Sequence, residues 1–170
     1  MKKKVLSEIA IHSGQVIMPE GWEINFKKIA SDIITANIND ESIPFSKDLD
    51  RLDKYIQETF KLRNERFLDK HKPYKYHILL PNQFSHTFLR LDQNYLTSSS
   101  DKICLYAVSV GKKSCAVIID YDDNRKKGKK ELCKLETNDY VILPSSQQFF
   151  ITKNTSQQIN VLLEIEYDVV

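Results

Sequence analysis

The spacing of apolar residues changes once along the chain, near Pro73, from a helical period to a period of two. Before that point Phe26, Ile29, Ala30, Ile33 and Ile34 share one side of a 3.6-residue repeat, which predicts an amphipathic helix with Asn25 placed to cap its first turn. A second helix is expected after Pro44, capped by Ser46. Its buried face is marked by Leu49, Leu52, Ile56, Phe60 and, less regularly, Leu62 and Phe67. The other face carries Asp48, Arg51, Asp53, Lys54, Glu58 and Lys61, a mixture of signs that reads as solvated surface. Upstream, Val5, Ile9, Ile11, Val16 and Met18 alternate enough for a short strand or two before the turn Pro19-Glu20-Gly21.

After Pro73 the alternation marks eight strand candidates, bounded by turn residues: 74–80, 84–91, 103–110, 114–121, 131–135, 139–143, 149–152 and 159–167. Gly111-Lys112-Lys113 predicts a hairpin between the third and fourth, and the basic stretch Arg125 to Lys130 a longer connection to the fifth. Two helices followed by eight short strands predict an α+β chain, with helices covering one face of an antiparallel jelly roll. One domain over 1–170 is expected, with 1–72 mainly helical cover and 73–170 the strands.

Composition narrows this without redirecting it. Apolar residues make up 41% and charged residues 28%, an ordinary globular balance, and a net charge of +2 supplies no global field for nucleic acid or an anionic membrane. Glu8, His12 and Ser13 interrupt the start before a secretory apolar segment forms, and no run approaches a membrane span, so an intracellular protein without a membrane partner is expected. Cys104, Cys115 and Cys133 are odd in number and lack CxxC spacing; they read as small apolar strand residues. With four glycines there is no phosphate-binding Gly-rich loop, and without a GxSxG elbow serine-hydrolase chemistry has no sequence support.

The stretch Glu136 to Thr152 joins two apolar strands through Pro144-Ser145-Ser146. It resembles the second motif of the cupins, and more broadly the closing half of double-stranded β-helix proteins, including iron- and 2-oxoglutarate-dependent oxygenases. The motif's first Gly falls on Asn138, its frequent Asp on Asp139, its Pro on Pro144 and its second Gly on Ser146. Its metal-binding His falls on Phe149 and its final Asn on Lys153, with Asn154 one place late. A phenyl ring offers no lone pair to a metal, all four histidines precede residue 90, and no Lys or Arg follows Lys153 to hold a cosubstrate carboxylate. The resemblance therefore implies the barrel with no metal and no cofactor. Phe84, Phe88, Ser145, Gln148 and Phe149 are the candidate lumen or ligand-mouth residues.

Several chemistries remain as expectations. The leading one is a non-catalytic structural or interaction module that binds a protein partner or itself. It is joined by a resemblance of the segment from Ser109 through Tyr167, with its YDDNRKKGKKE, LPSSQQFFITKN and INVLLEIEY elements, to uncharacterised proteins of large DNA viruses and phages. The alternative is an enzyme, either a divergent oxygenase with a rearranged site at His77, His86 and Asp92, or a metal-free isomerase of the cupin type. In the latter, His77 or His86 is the base and Asp92 fixes its tautomer. A third is nucleic-acid binding through Arg125, Lys126, Lys127, Lys129 and Lys130, although no aromatic residue lies among them to stack bases. Asp120, Asp122, Asn124 and Glu131 match calcium-loop spacing, but Arg125 replaces the turn Gly and the flanks are strands, so a charged hairpin tip is expected there.

Overall fold

A computed structural model of the chain describes residues 10–21, 23–61, 67–68, 74–85, 102–120, 130–145 and 147–169. Its elements run β1 His12–Gln15, α1 Phe26–Asn39, α2 Lys47–Lys61, β2 Phe67–Leu68, β3 Lys75–Leu79, β4 Lys102–Ser109, β5 Cys115–Asp120, β6 Lys130–Leu135, β7 Asp139–Pro144, β8 Gln148–Ile151 and β9 Asn160–Val169. Both helices start at the expected caps: Asn25 Oδ1 accepts from Lys28 N–H at 3.0 Å, and Ser46 Oγ from Leu49 N–H at 3.1 Å. Phe67 is a correction. It belongs to β2, paired with the end of β9, because its seven-residue spacing from Phe60 fits a helical stripe as well as it fits a separate strand. Among the described residues no helix is long and apolar enough to cross a membrane.

The described strands form two antiparallel sheets. The larger has the order β1-β7-β4-β9-β2, with β3 also on β9; the smaller has the order β6-β5-β8. Residues Ile103 to Val108 of β4 are fully buried one after another, as expected of a strand covered on both faces. On one face Cys104, Tyr106, Val108, Leu163, Ile165 and Tyr167 pack against Ile29, Ile33, Leu49, Leu52 and Ile56 of the helices. On the other, Ile103, Leu105, Val141, Leu143 and Leu162 meet Val117, Ile119, Phe149 and Ile151 of the small sheet. The α+β double-stranded β-helix is thus helix layer, large sheet, lumen, small sheet.

The third and fourth predicted strands are not a hairpin. Ser114 N–H does close the turn on Gly111 O at 3.1 Å, but β4 pairs with β7 and β9, whereas β5 pairs with β6 and β8. The turn carries the chain from one sheet to the other, since turn chemistry sets a reversal and leaves strand partners to long-range packing. The β7–β8 connection crosses in the same way, and Gln147 N–H closes it on Pro144 O at 3.0 Å. The ladder spanned by Arg125 to Lys130 is a true pairing, from Cys115↔Leu135 to Asp120↔Lys130.

Asn138 does the work of the motif glycine. It takes φ 79°, and its side chain accepts from the Tyr106 hydroxyl at 2.7 Å and donates to Val16 O at 3.0 Å. Asp53 is a further correction: it lies on no solvated surface but is 7% exposed, accepting the Tyr167 hydroxyl at 2.7 Å across the helix–sheet interface. Tyr74 also hydrogen-bonds to it. A short carboxylate between helix-layer residues of both kinds cannot be told from a surface one by period alone.

Two outcomes follow from these contacts. Asn138→Ala loses both side-chain bonds and forces a Cβ residue without them into the left-handed region, which costs about 1–2 kcal/mol by itself; Asn138→Gly escapes that backbone term, so thermal unfolding should rank wild type, then Gly, then Ala. Asp53→Ala leaves a buried Tyr167 hydroxyl without its acceptor and should lower urea-unfolding stability by about 1–3 kcal/mol, with Asp53→Asn intermediate. Burial, then neighbouring charge, pushes the phenols of Tyr74 and Tyr167 well above their ordinary 10. Their contribution is therefore complete below pH 10. It is lost as pH rises above 10, where unfolded phenols ionise and folded ones resist.

Candidate active site

Alternation along β3 and β9 decides what enters the lumen. Tyr76 and Ile78 pack toward the helices, so Lys75, His77 and Leu79 face the small sheet; Leu162 does likewise on β9, carrying Glu164 and Glu166 with it. The register His77↔Leu162 and Lys75↔Glu164 sets His77 diagonal to Glu164. His77 Nε2 lies 2.7 Å from Glu164 Oε2, and Glu164 is 1% exposed. Leu105 stands opposite Glu164 on β4, and the Phe149 ring meets the imidazole edge-on, with centroids 6.2 Å apart at 82°. Lys75 Nζ pairs with Glu166 Oε1 at 2.5 Å, and Ser85 Oγ is 3.5 Å from His77 Nδ1.

A carboxylate this deep costs several kcal/mol to desolvate unless a partner compensates it. His77 is one such partner. With Glu164 ionised and the imidazole neutral, the hydrogen bond puts the ring proton on Nε2 and leaves Nδ1 as a lone-pair acceptor facing Ser85. The imidazole therefore spans the sheets, with one nitrogen on the large sheet's acid and the other on a residue held by the small sheet. Ser85 N–H donates to Ile151 O at 3.2 Å.

His77 and Phe149 are the sequence candidates brought into contact. The connection between Pro144 and Gln148 lies at the end of the barrel where β3 begins, so buried Ser145 and exposed Gln148 share that end with Lys75 and Glu166. Phe84 is a correction: it is 53% exposed and does not fill the lumen, because the chain is still turning between β3 and Ser85. His86, Phe88, Asp92, Arg125, Lys126, Lys127 and Lys129 lie outside the described residues. Lys130 is on the rim, its Nζ 3.8 Å from Asp120 Oδ1.

Glu164 was missed from sequence. Val161, Leu163, Ile165 and Tyr167 supply an apolar parity that packs on the helices, and nothing in the alternation of β9 marks the opposite parity, with Glu164 and Glu166, as facing the lumen. Away from this site, an open groove of about 690 Å³ has Lys113, Lys134 and Lys153 on its rim with Glu136 and Asp139. Cys115 lies in it, but burial pushes its thiol up to about 12, which leaves it unreactive at neutral pH.

The described residues do not fit the iron and 2-oxo acid implied by the oxygenase resemblance. Phe149 occupies the motif's ligand position, His77 turns Nε2 onto Glu164, and no group of three or more metal-binding side chains forms among the described residues. The lumen face of β9 presents two acids, Glu164 and Glu166, which do not suit a cosubstrate carboxylate, and Lys75 is paired with Glu166.

No protein-family model and no curated protein matches the chain. Solved structures do. AviO1 from Streptomyces viridochromogenes Tue57 is 10% identical with a TM-score of 0.64, covering 94% of this chain and 89% of that one. The non-heme alpha ketoglutarate dependent epimerase SnoN from nogalamycin biosynthesis is 9% identical at 0.61, covering 93% and 77%. The alpha ketoglutarate dependent carbocyclase SnoK of the same biosynthesis is 10% identical at 0.61, covering 95% and 81%. At such identities the likeness is one of fold alone, the double-stranded β-helix.

Proposed function

We propose that this chain is a metal-free enzyme of the double-stranded β-helix class, using its lumen for acid–base chemistry on a small ligand as the isomerases of cupin fold do. The observation that carries this reading is the 2.7 Å contact between His77 Nε2 and a carboxylate that is 1% exposed. A lumen built only for stability has no need of Glu164, since replacing a buried ion pair by apolar side chains is often neutral or stabilising. The purely architectural expectation leaves that residue unexplained.

In this reading His77 Nδ1 takes a proton from a carbon or hydroxyl of the ligand, Glu164 stabilises the resulting imidazolium, and Phe149 limits water at the ring. The same nitrogen returns the proton, so no redox partner is required. A positioned base of this kind contributes roughly 10²- to 10⁴-fold to rate. The fold neighbours named as epimerase and carbocyclase support an enzymatic use of the barrel, whereas the residues of this lumen support a different means from theirs.

The test is hydrogen–deuterium exchange into a panel of small ketoses and 2-hydroxy ketones, in deuterated water with a chelator present, followed by proton NMR. Exchange should survive chelation, fall about 100-fold in Glu164→Gln and vanish in His77→Gln. Turnover that requires added ferrous iron and a 2-oxo acid would overturn the reading, as would exchange indifferent to His77→Gln.

A further inference from the structure

The second nitrogen of His77 faces a side chain that proton transfer to a ligand leaves unused. Ser85 Oγ lies on it at 3.5 Å. The hydroxyl is presented from a clamped segment. Ser85 pairs with Ile151 of the small sheet, Asn82 at φ 68° donates its N–H to Asn154 O at 2.8 Å, and Asn154 N–H returns to Gln83 O at 2.8 Å. Asn154 is itself fully buried and donates from Nδ2 to Leu79 O at 2.9 Å, so the turn leading to Ser85 is tied to the end of the strand that carries His77. Ser85 is partly accessible, while Glu164, at the other end of the chain of contacts, is not.

Hydroxyl, imidazole and buried carboxylate thus stand in sequence: a nucleophile, the base that activates it, and the acid that holds the base in one tautomer. Either imidazole nitrogen can serve as base; here Glu164 holds Nε2 and leaves Nδ1 for the hydroxyl. We propose that Ser85 is a nucleophile and that this lumen cleaves small esters, an activity that rests on the same His77–Glu164 base. Ser85 Oγ bonds to the ester carbonyl carbon as its proton passes to His77 Nδ1, and that proton leaves with the alcohol when the C–O bond breaks. Water, deprotonated by the same nitrogen, then cleaves the acyl–Ser85 bond, and the proton returns to Ser85. Glu164 and Glu166 make the lumen unfavourable to an anionic acyl group, so the substrate class is a neutral ester. No GxSxG elbow announces this arrangement; it is assembled by β3, β9 and the bridge to β8.

A fluorophosphonate probe tests it directly on the full chain at neutral pH. Attack forms an Oγ–P bond, fluoride leaves, and Nδ1 takes the hydroxyl proton. One adduct per chain is expected, mapped to Ser85 by peptide mass spectrometry, absent in Ser85→Ala and formed about 100-fold more slowly in His77→Gln. Circular dichroism confirms that each variant is folded. Nitrogen-15 NMR of the His77 ring, read alongside, separates the two readings. An unlabelled Ser85 in a protein whose His77 shows the Nε2–H tautomer overturns the nucleophile and leaves the acid–base site standing. Loss of that tautomer overturns both, and labelling at an unchanged rate in His77→Gln overturns the nucleophile.

Discussion

The pairing of β9 with β4 is the constraint on which the other layers depend. β9 is hydrogen-bonded to β4, β3 and β2, and its two faces serve opposite sides of the molecule. Leu163, Ile165 and Tyr167 anchor the helices; Leu162, Glu164 and Glu166 face the lumen. Because side-chain parity in a strand is strict, a one-residue slip would send both glutamates under the helices and Tyr167 into the lumen. The apolar helix layer therefore enforces the register that places Glu164 beside His77. Stability of the outer layer and chemistry of the inner one are set by the same ladder.

The two ends of the barrel differ in kind. At the end where β3 finishes and β9 begins, fully buried Asn160 accepts from Gly111 N–H at 2.8 Å and donates to Ser114 Oγ at 3.1 Å, while Asn154 donates to Leu79 O and Gln158 O. These amides satisfy backbone groups of the crossing turns, and in a low-dielectric setting such a network holds geometry firmly. At the other end stand the ion pairs Lys75–Glu166 and Lys130–Asp120. Rigidity at one end and charge at the other is a sound arrangement for a site, since the reactive groups sit on strands whose positions the far end fixes.

Sequence similarity carries little of this. The epimerase and carbocyclase structures, 9–10% identical, share the fold across more than nine-tenths of the chain, yet their dependence on alpha ketoglutarate finds no matching residues in the described lumen. The barrel tolerates such exchange because its strands need only the right parity and bulk, whereas a metal or cosubstrate needs particular donors at particular points. Phe149 meets the first demand and not the second: it is buried, shape-filling and chemically silent, and it packs against the one histidine that the described lumen retains.

The amino-acid sequence by itself determined the local elements and the skeleton. The caps at Asn25 and Ser46, the seven predicted strands that lie within the described residues (most of 84–91 lies outside them), and the turn around Asn138 and Pro144 are all where period and turn chemistry set them, because those signals act over a few residues. Only the tertiary structure decided which sheet each strand joined, turning an expected hairpin at Gly111 into a crossing, and that both parities of β9 are covered, one by the helices and the other by the small sheet. That second decision made Glu164 a lumen acid instead of a surface one, and Asp53 a buried acceptor instead of a solvated charge. Polar residues carry the same letter in either place; what distinguishes them is the partner that arrives from 87 or 114 residues away.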